Sequence, residues 1–267
     1  MSARVTLVMV VFNQLPLTRA CLDSLDSTRE PFALVVVDNG STDDTRDFFA
    51  RFRPRYPVRY ETEGGGGSVI AALNRGWRLA DTAHVCFLHN DTELGDADWL
   101  GKLLAPLGDG RAGLTGLYGV KRVRRDGRYV GRTIVHSLAP APTVAPAGEE
   151  VAVVDGVCLC VRRSLLEAVG GFDEGYGFFH GYDRDLSFAV REHGETCHVV
   201  RSSFLHRGGG TRTEGFARDP ARARADRAAR AAALDRFVTK WGHRLPCDVR
   251  PLATRVGDWA RAKGLRA

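Results

Sequence analysis

Short apolar runs alternate with amphipathic stretches through the N-terminal part of the chain. Val5 to Phe12 is a continuous apolar run, the pattern of a parallel strand covered on both faces. Pro16 then suits the first turn of a helix that carries Leu17, Cys21, Leu22 and Leu25 on one side. Leu34 to Val37 reads as a second strand ending at Asp38. Ser41 and Asp44 have the spacing of a capping box, opening a helix with Phe48, Phe49 and Phe52. A third strand around Val58 to Tyr60 leads into Gly64 to Gly67 and a helix from about Ser68 to Ala80. Val85 to Leu88 is the fourth strand, ending in His89-Asn90-Asp91-Thr92. This order predicts an α/β fold: a mostly parallel sheet flanked by helices, with ligands at the carboxyl ends of the strands.

The second half has a different texture. Lys121 to Arg132 reads as a basic hairpin turning at Asp126-Gly127, and Leu138 to Gly148 as a loop rich in Pro and Ala. Val151 to Val161 is a strand pair or one bent strand. Ser164 to Val169 is a short helix stopped by Gly170-Gly171, and Tyr182 to His193 is another, closed by Gly194. Asp219 to Trp241 is an Arg/Ala-rich helix with Leu234, Phe237, Val238 and Trp241 at i, i+3, i+4 and i+7. The last residues read as a packed or fraying tail.

Composition adds boundaries. With 267 residues, 44% hydrophobic and 26% charged, the chain has ordinary globular proportions and room for a sizeable core. No apolar run reaches membrane-spanning length, and Val5 to Phe12 lacks the basic start and cleavage site of a secretion signal, so the expected location is cytoplasmic. Six cysteines, none in a Cys-x-x-Cys pair, read as buried structural thiols, with Cys158 and Cys160 on one strand face. The net charge of +6 favours anionic partners: a phosphorylated donor, an acidic lipid surface or nucleic acid.

Several segments carry chemistry. Asp38 ends a strand before a helix start, where a carboxylate either accepts from a nucleobase N–H or ribose hydroxyl, or simply caps the helix. The run Gly64 to Gly67 lets backbone approach a diphosphate or serves as a connector; neither a dinucleotide fingerprint nor a P-loop is present. His89 and Asp91 alternate in extended backbone and so face one side, and a Mg²⁺ or Mn²⁺ bridging phosphates needs only one or two protein ligands. Asp183 and Asp185 begin a helix after the aromatic loop Gly175 to Tyr182, as caps or as a general base. They stand roughly 200° apart around the helix, so the expectation is Asp183 toward an acceptor and Asp185 in a supporting role. His206 sits in a glycine-rich loop, open to metal, phosphate or proton.

Taken in order, these segments resemble glycosyltransferase family 2 with its GT-A (Rossmann-like) fold. The resemblance runs through Val10-Val11-Phe12-Asn13, residues 35–45, 67–76 and 87–92, then 169–174, 178–186 and His206, covering about residues 4 to 210. It implies a metal-dependent hexosyltransferase that uses a nucleoside diphosphate sugar, with UDP or dTDP favoured, and inverts the anomeric centre. The acceptor is unspecified among glycan, lipid, protein and natural product. By the same resemblance Asp38 holds the nucleobase, with Phe12, Gly67 and Ser68 beside it. Asp91 binds Mn²⁺ or Mg²⁺, with His206 and His89 as further ligands, and Asp183 deprotonates the acceptor. Two positions depart from the family pattern: His89 replaces the first aspartate of Asp-x-Asp, and Tyr182 replaces a glutamate before the catalytic aspartate. The implied division is a GT-A domain over 1–215 (donor half 1–95, acceptor half 96–215) and a helical extension over 216–267.

The competing expectation is a non-catalytic nucleotide- or glycan-binding module with an eroded site, for which His89 speaks. Nucleic-acid binding through Lys121, Arg122, Arg124, Arg125, Arg128 and Arg132 ranks below a solvated hairpin, with acceptor or membrane-surface contact next.

Overall fold

The computed structural model describes residues 3–62, 64, 67–130, 144–208 and 219–263. Its first part follows the predicted alternation: β1 (Val5–Val11), α1 (Leu15–Leu25), β2 (Phe32–Asp38), α2 (Thr45–Arg51), β3 (Val58–Thr62), α3 (Val69–Arg78) and β4 (His84–Leu88). Then come β5 (Thr92–Leu94), α4 (Trp99–Gly108), β6 (Leu114–Gly116), β7 (Gly119–Val120), β8 (Arg122–Val123), β9 (Glu149–Val151), β10 (Val153–Val154) and β11 (Cys158–Arg162). Helices α5 (Arg163–Ala168) and α6 (Tyr182–Glu192) precede β12 (Cys197–Val199) and β13 (Phe204–His206). The chain continues through α7 (Pro220–Trp241), β14 (Cys247–Asp248) and α8 (Leu252–Ala262).

One eight-stranded sheet, ordered β3-β2-β1-β4-β11-β6-β12-β9, runs through both halves of the chain. Strands β3, β2, β1 and β4 are parallel; β11 lies antiparallel to both β4 and β6. The continuous apolar runs have a direct cause, because alternate residues feed two cores. Val8, Val35, Val37, Phe87 and Leu159 pack with Ile70, Leu73 and Trp77 of α3 and with Phe188 of α6. Leu7, Met9, Val36, Cys86 and Cys158 pack on the other face with Leu22 and Leu25 of α1 and Trp99 and Leu103 of α4. Helix α3 lies very close to the sheet: a Cβ on Gly76 would stand 2.3 Å from Val8 Cγ1.

Most predicted elements are present within a few residues, and four details differ. The capping box does not form. Asp43 Oδ1 instead accepts from Thr45 N at 3.1 Å, and Ser41 Oγ accepts from Asn13 N at 2.8 Å, tying the ends of β1 and β2 together. The Val151–Val161 stretch holds the end of β9, then β10 and β11, interrupted at Asp155-Gly156. The expected tail contains α8. The hairpin is described only to Val130: β8 pairs with β14, and Gly127 turns the chain with φ of 73°. Lys121 pairs with Glu149, Arg122 with Asp248 and Arg124 with Asp126. Arg132, Leu138 to Thr143, Gly65, Gly66, Gly209 and Gly210 lie outside the described residues.

Five of the six thiols are buried and all are free, as expected of structural cysteines. Phe237 and Trp241 of α7 join the core that contains Phe188, so the last turns of this helix pack against α6. No described helix is long and apolar enough to cross a membrane.

Candidate active site

A cleft of about 420 Å³ opens at the carboxyl ends of β1, β2 and β4. Phe12, Asn39 and Gly67 lie on one side of its lining; His89, Asp91 and His206 lie on another, with Tyr182 beside them.

The His89–Thr92 turn is held from several directions. His89 N donates to Val157 O at 3.0 Å, Asn90 Nδ2 to Thr18 Oγ1 at 2.9 Å, and Cys21 Sγ to His89 O at 3.7 Å. The ribbon of β5 and β13 pairs Thr92 with His206, which carries the histidine back more than a hundred residues to Asp91. His206 Nε2 lies 3.2 Å from Asp91 Oδ1, and His89 Nδ1 lies 3.9 Å from the same oxygen. Ligand atoms of His89, Asp91 and His206 all fall within 4.8 Å of one another. Two imidazoles and a carboxylate on one side of a space suit a divalent transition ion and leave coordination positions for phosphate oxygens. The donor set therefore fits a divalent metal.

Electrostatics separate the two imidazoles. Burial lowers the pKa of His89 more than the Asp91 charge raises it, with His206 pushing the same way as burial. For His206 burial also pulls downward, but the hydrogen bond and charge of Asp91, with the charge of Asp155, outweigh it and the pKa is raised.

Both departures from the family pattern meet here. Tyr182 Oη lies 3.0 Å from His89 Nε2. Space for that phenol depends on Gly156, since a Cβ there would stand 2.3 Å from Tyr182 Oη.

Not every predicted site residue reaches the cleft. Asp38 is 2% exposed, and both carboxylate oxygens are engaged within the protein: Ser41 N donates to Oδ1 at 2.8 Å, and Tyr60 Oη donates to Oδ2. Its neighbour Asn39 lines the cleft instead. Asn39 Nδ2 donates to Gly67 O at 2.8 Å, and Oδ1 is buried without a hydrogen-bond partner. Successive side chains at a strand end point to opposite sides, which accounts for the exchange. Ser68 caps α3, accepting from Ala71 N at 3.0 Å, and is not a lining residue.

Asp183 opens α6, half-buried next to Tyr182 and just outside the lining. Its charge acts on Asp155, Tyr129 and Tyr182. Asp185 is 3% exposed on the far side of the helix. Its Oδ1 accepts from Tyr176 Oη at 2.9 Å and Trp241 Nε1 at 2.7 Å, and its Oδ2 from Lys240 Nζ at 3.0 Å. It ties α7 to α6 rather than capping α6. His180 is bound to Asp226 of α7 at 2.8 Å.

Asp155, like Asn39, is a residue the sequence reading missed. It sits between β10 and β11, and its Oδ1 accepts from Val157 N at 3.0 Å. Burial first, then the charge of Asp183, push its pKa from 3.8 up to about 7. The available signal was a lone carboxylate followed by glycine inside an apolar stretch.

This fold and cleft define a GT-A glycosyltransferase scaffold. The sequence profile of the glycosyl transferase family 2 matches residues 6–170, and the chain belongs to that family. It is 36% identical over 109 residues to a PGL/p-HBAD biosynthesis glycosyltransferase of Mycobacterium tuberculosis, covering 39% of this chain and 41% of the relative. The chain thus matches less than half the length of that relative. Among solved structures, the mannosyltransferase PcManGT of Pyrobaculum calidifontis, in complex with GDP-Man and Mn²⁺, superposes with a TM-score of 0.59 at 19% identity. That likeness covers 100% of this chain and 77% of PcManGT. S. aureus TarS 1-349 with UDP-GlcNAc gives a TM-score of 0.55 at 17% identity, over 75% of this chain and 57% of TarS.

Proposed function

We propose that the protein is an inverting hexosyltransferase that moves a sugar from a nucleoside diphosphate donor to a hydroxyl acceptor. The observation that carries this reading is the convergence of His89, Asp91 and His206 in one cleft with Asn39 and Gly67. A Mn²⁺, favoured over Mg²⁺ by the two imidazoles, held by Asp91, His206 and His89 would supply positive charge against the donor diphosphate. Phe12 and Gly67 flank the base and diphosphate, and Asn39 Oδ1 rather than Asp38 accepts from the imino N–H of the nucleobase. That acceptor suits uracil or thymine and disfavours adenine, whose N1 carries no proton. Guanine has an N1–H and is not excluded by this contact, and the two solved neighbours carry UDP-GlcNAc and GDP-Man respectively.

Asp183 takes the proton from the acceptor hydroxyl as its oxygen attacks the anomeric carbon. The bond from that carbon to the diphosphate breaks, and the nucleoside diphosphate leaves with the electron pair. Tyr182 keeps the His89 imidazole turned toward Asp91. Phe178 and Phe179 at the cleft favour an acceptor with an aromatic or aliphatic face.

The test is a panel of UDP-, dTDP-, GDP- and ADP-sugars with and without Mn²⁺, read by thermal shift and slow donor hydrolysis. UDP- or dTDP-sugars should stabilise the protein in a metal-dependent way. Stabilisation with no hydrolysis of any donor and no transfer to any acceptor would favour the binding-module reading instead.

A further inference from the structure

Helix α8 sits on the protein with its polarity reversed. Leu252, Val256 and Trp259 stand at i, i+4 and i+7 and are 70%, 53% and 59% exposed. Asp258 lies on another flank and binds Arg250 Nη1 at 2.6 Å, with Arg122 Nη1 at 4.0 Å. The helix is therefore fastened by ion pairs while its apolar stripe faces outward. A helix of a soluble domain normally turns such a stripe to the core. The other exposed large apolar side chains have an explanation in the fold: Phe12 and Phe178 line the cleft, and Tyr129 lies under the Arg184 guanidinium at 4.6 Å.

Cations frame the stripe. Arg255 borders it and Lys263 follows one turn beyond Trp259, both exposed. Arg255 also shares a cavity of about 670 Å³ with Arg124 and Arg244. Their acidic partners are Asp248, Asp126 and Glu192, in half-exposed pairs that contribute little and yield readily to phosphate. An apolar face ending in tryptophan and bordered by arginine and lysine has the chemistry of a helix lying in a bilayer interface. A second copy of the chain fits less well, because self-pairing would bring Arg255 and Lys263 of two molecules together.

We infer that α8 rests on an anionic membrane surface, with Leu252, Val256 and Trp259 in the interfacial zone and Arg255, Lys263, Arg124 and Arg244 against lipid phosphates. This inference does not depend on the catalytic reading, since none of these residues lines the active-site cleft. One short helix gives reversible attachment.

The experiment is co-sedimentation of the whole chain with vesicles of phosphatidylcholine, or of phosphatidylcholine with about a third phosphatidylglycerol, at low and high salt. Binding to the anionic vesicles should exceed binding to neutral ones by about tenfold and fall with salt. Emission should shift to the blue on binding, and it reports Trp259, because Trp77, Trp99 and Trp241 are buried. Val256→Asn with Trp259→Ser should weaken binding about tenfold. Arg255→Glu with Lys263→Glu should reduce the preference for anionic lipid several-fold, Arg124 and Arg244 remaining. The melting temperature of both double variants should stay at the parent value, since all four side chains are exposed. Failure of the parent to bind anionic vesicles, or unchanged binding by Val256→Asn/Trp259→Ser, overturns the inference. So does a dimer of the parent that Trp259→Ser dissolves, which would make the stripe a self-interface.

Discussion

In the proposed reading the cleft has a donor side and an acceptor side, and the two hold their chemistry in different ways. On the donor side, Asn39 and Asp91 are placed by strand ends and by main-chain hydrogen bonds such as Asn39 N to Val11 O and His89 N to Val157 O. On the acceptor side, Tyr182 and Asp183 depend on side-chain packing between segments far apart in sequence. Tyr182 needs the room left by Gly156, and α6 needs the tie from Asp185 to Trp241 and Lys240. Strand-end geometry is shared by every open α/β sheet, whereas a packed side-chain network is particular to one chain. If that reading holds, donor chemistry is separable from acceptor choice, and substitutions on the two sides should fail differently.

The largest effect should come from Asp183→Asn. Removing a general base costs about 10²–10⁴-fold in turnover, while donor affinity stays within a few-fold. Steady-state kinetics beside calorimetric donor binding separate the two. Retained turnover would move the base to Asp155, its carboxyl neighbour with a raised pKa.

Next is the pair of departures from the family pattern. A group that orients a metal ligand typically contributes about 10–100-fold to metal affinity, so Tyr182→Phe should weaken Mn²⁺ binding by that order. Asp91→Ala should remove it while the fold persists. Electron paramagnetic resonance titration of Mn²⁺ reads both, and an unchanged affinity in Tyr182→Phe would make the phenol a packing group only.

On the donor side the expected effect is smaller. Asn39→Leu should weaken UDP binding on the order of tenfold, the cost of losing one buried acceptor. Asp38→Asn should lower the melting temperature, because it disturbs the bonds to Ser41 N and Tyr60, and should leave nucleotide affinity near the parent value. The reverse pattern would return the nucleobase contact to Asp38.

The mildest prediction concerns pH. The folded-state pKa of Asp155 lies above its ordinary 3.8, at about 7, so the native state binds the extra proton between those values. Its contribution to stability is fully present below about pH 4, declines as pH rises, and is gone above about pH 7. Thermal melts across that window should show a shallower decline for Asp155→Asn than for the parent.

Legibility in the sequence follows the same division. Strands β1, β2 and β4 are visible because both neighbouring layers demand apolar residues, which makes the runs continuous. Asp91 and His206 stand out as polar groups at the ends of apolar segments. The partner of Ser41 was not legible, since its hydroxyl meets Asn13, which is distant along the chain and has a left-handed φ of 53°. Asp155 was hidden because a break of three residues between β10 and β11 looks like continuous strand. The pairing of His89 with Tyr182 joins residues 93 apart, a contact no local pattern encodes.

Strand β11 has a consequence for the order in which the chain is made. It fills the place beside β4, pairing Cys158 with Leu88 and Arg162 with His84. A nascent chain that has emerged only as far as α4 can pair β3, β2, β1 and β4, yet β4 remains an open edge of apolar residues. Unpaired edges of this kind invite association with other chains. The 54 residues from the end of α4 to the end of β11 must still leave the ribosome before that edge closes, and at about 5–20 residues per second the delay is several seconds. The exposed edge of β4 is therefore the place where a chaperone would act during synthesis.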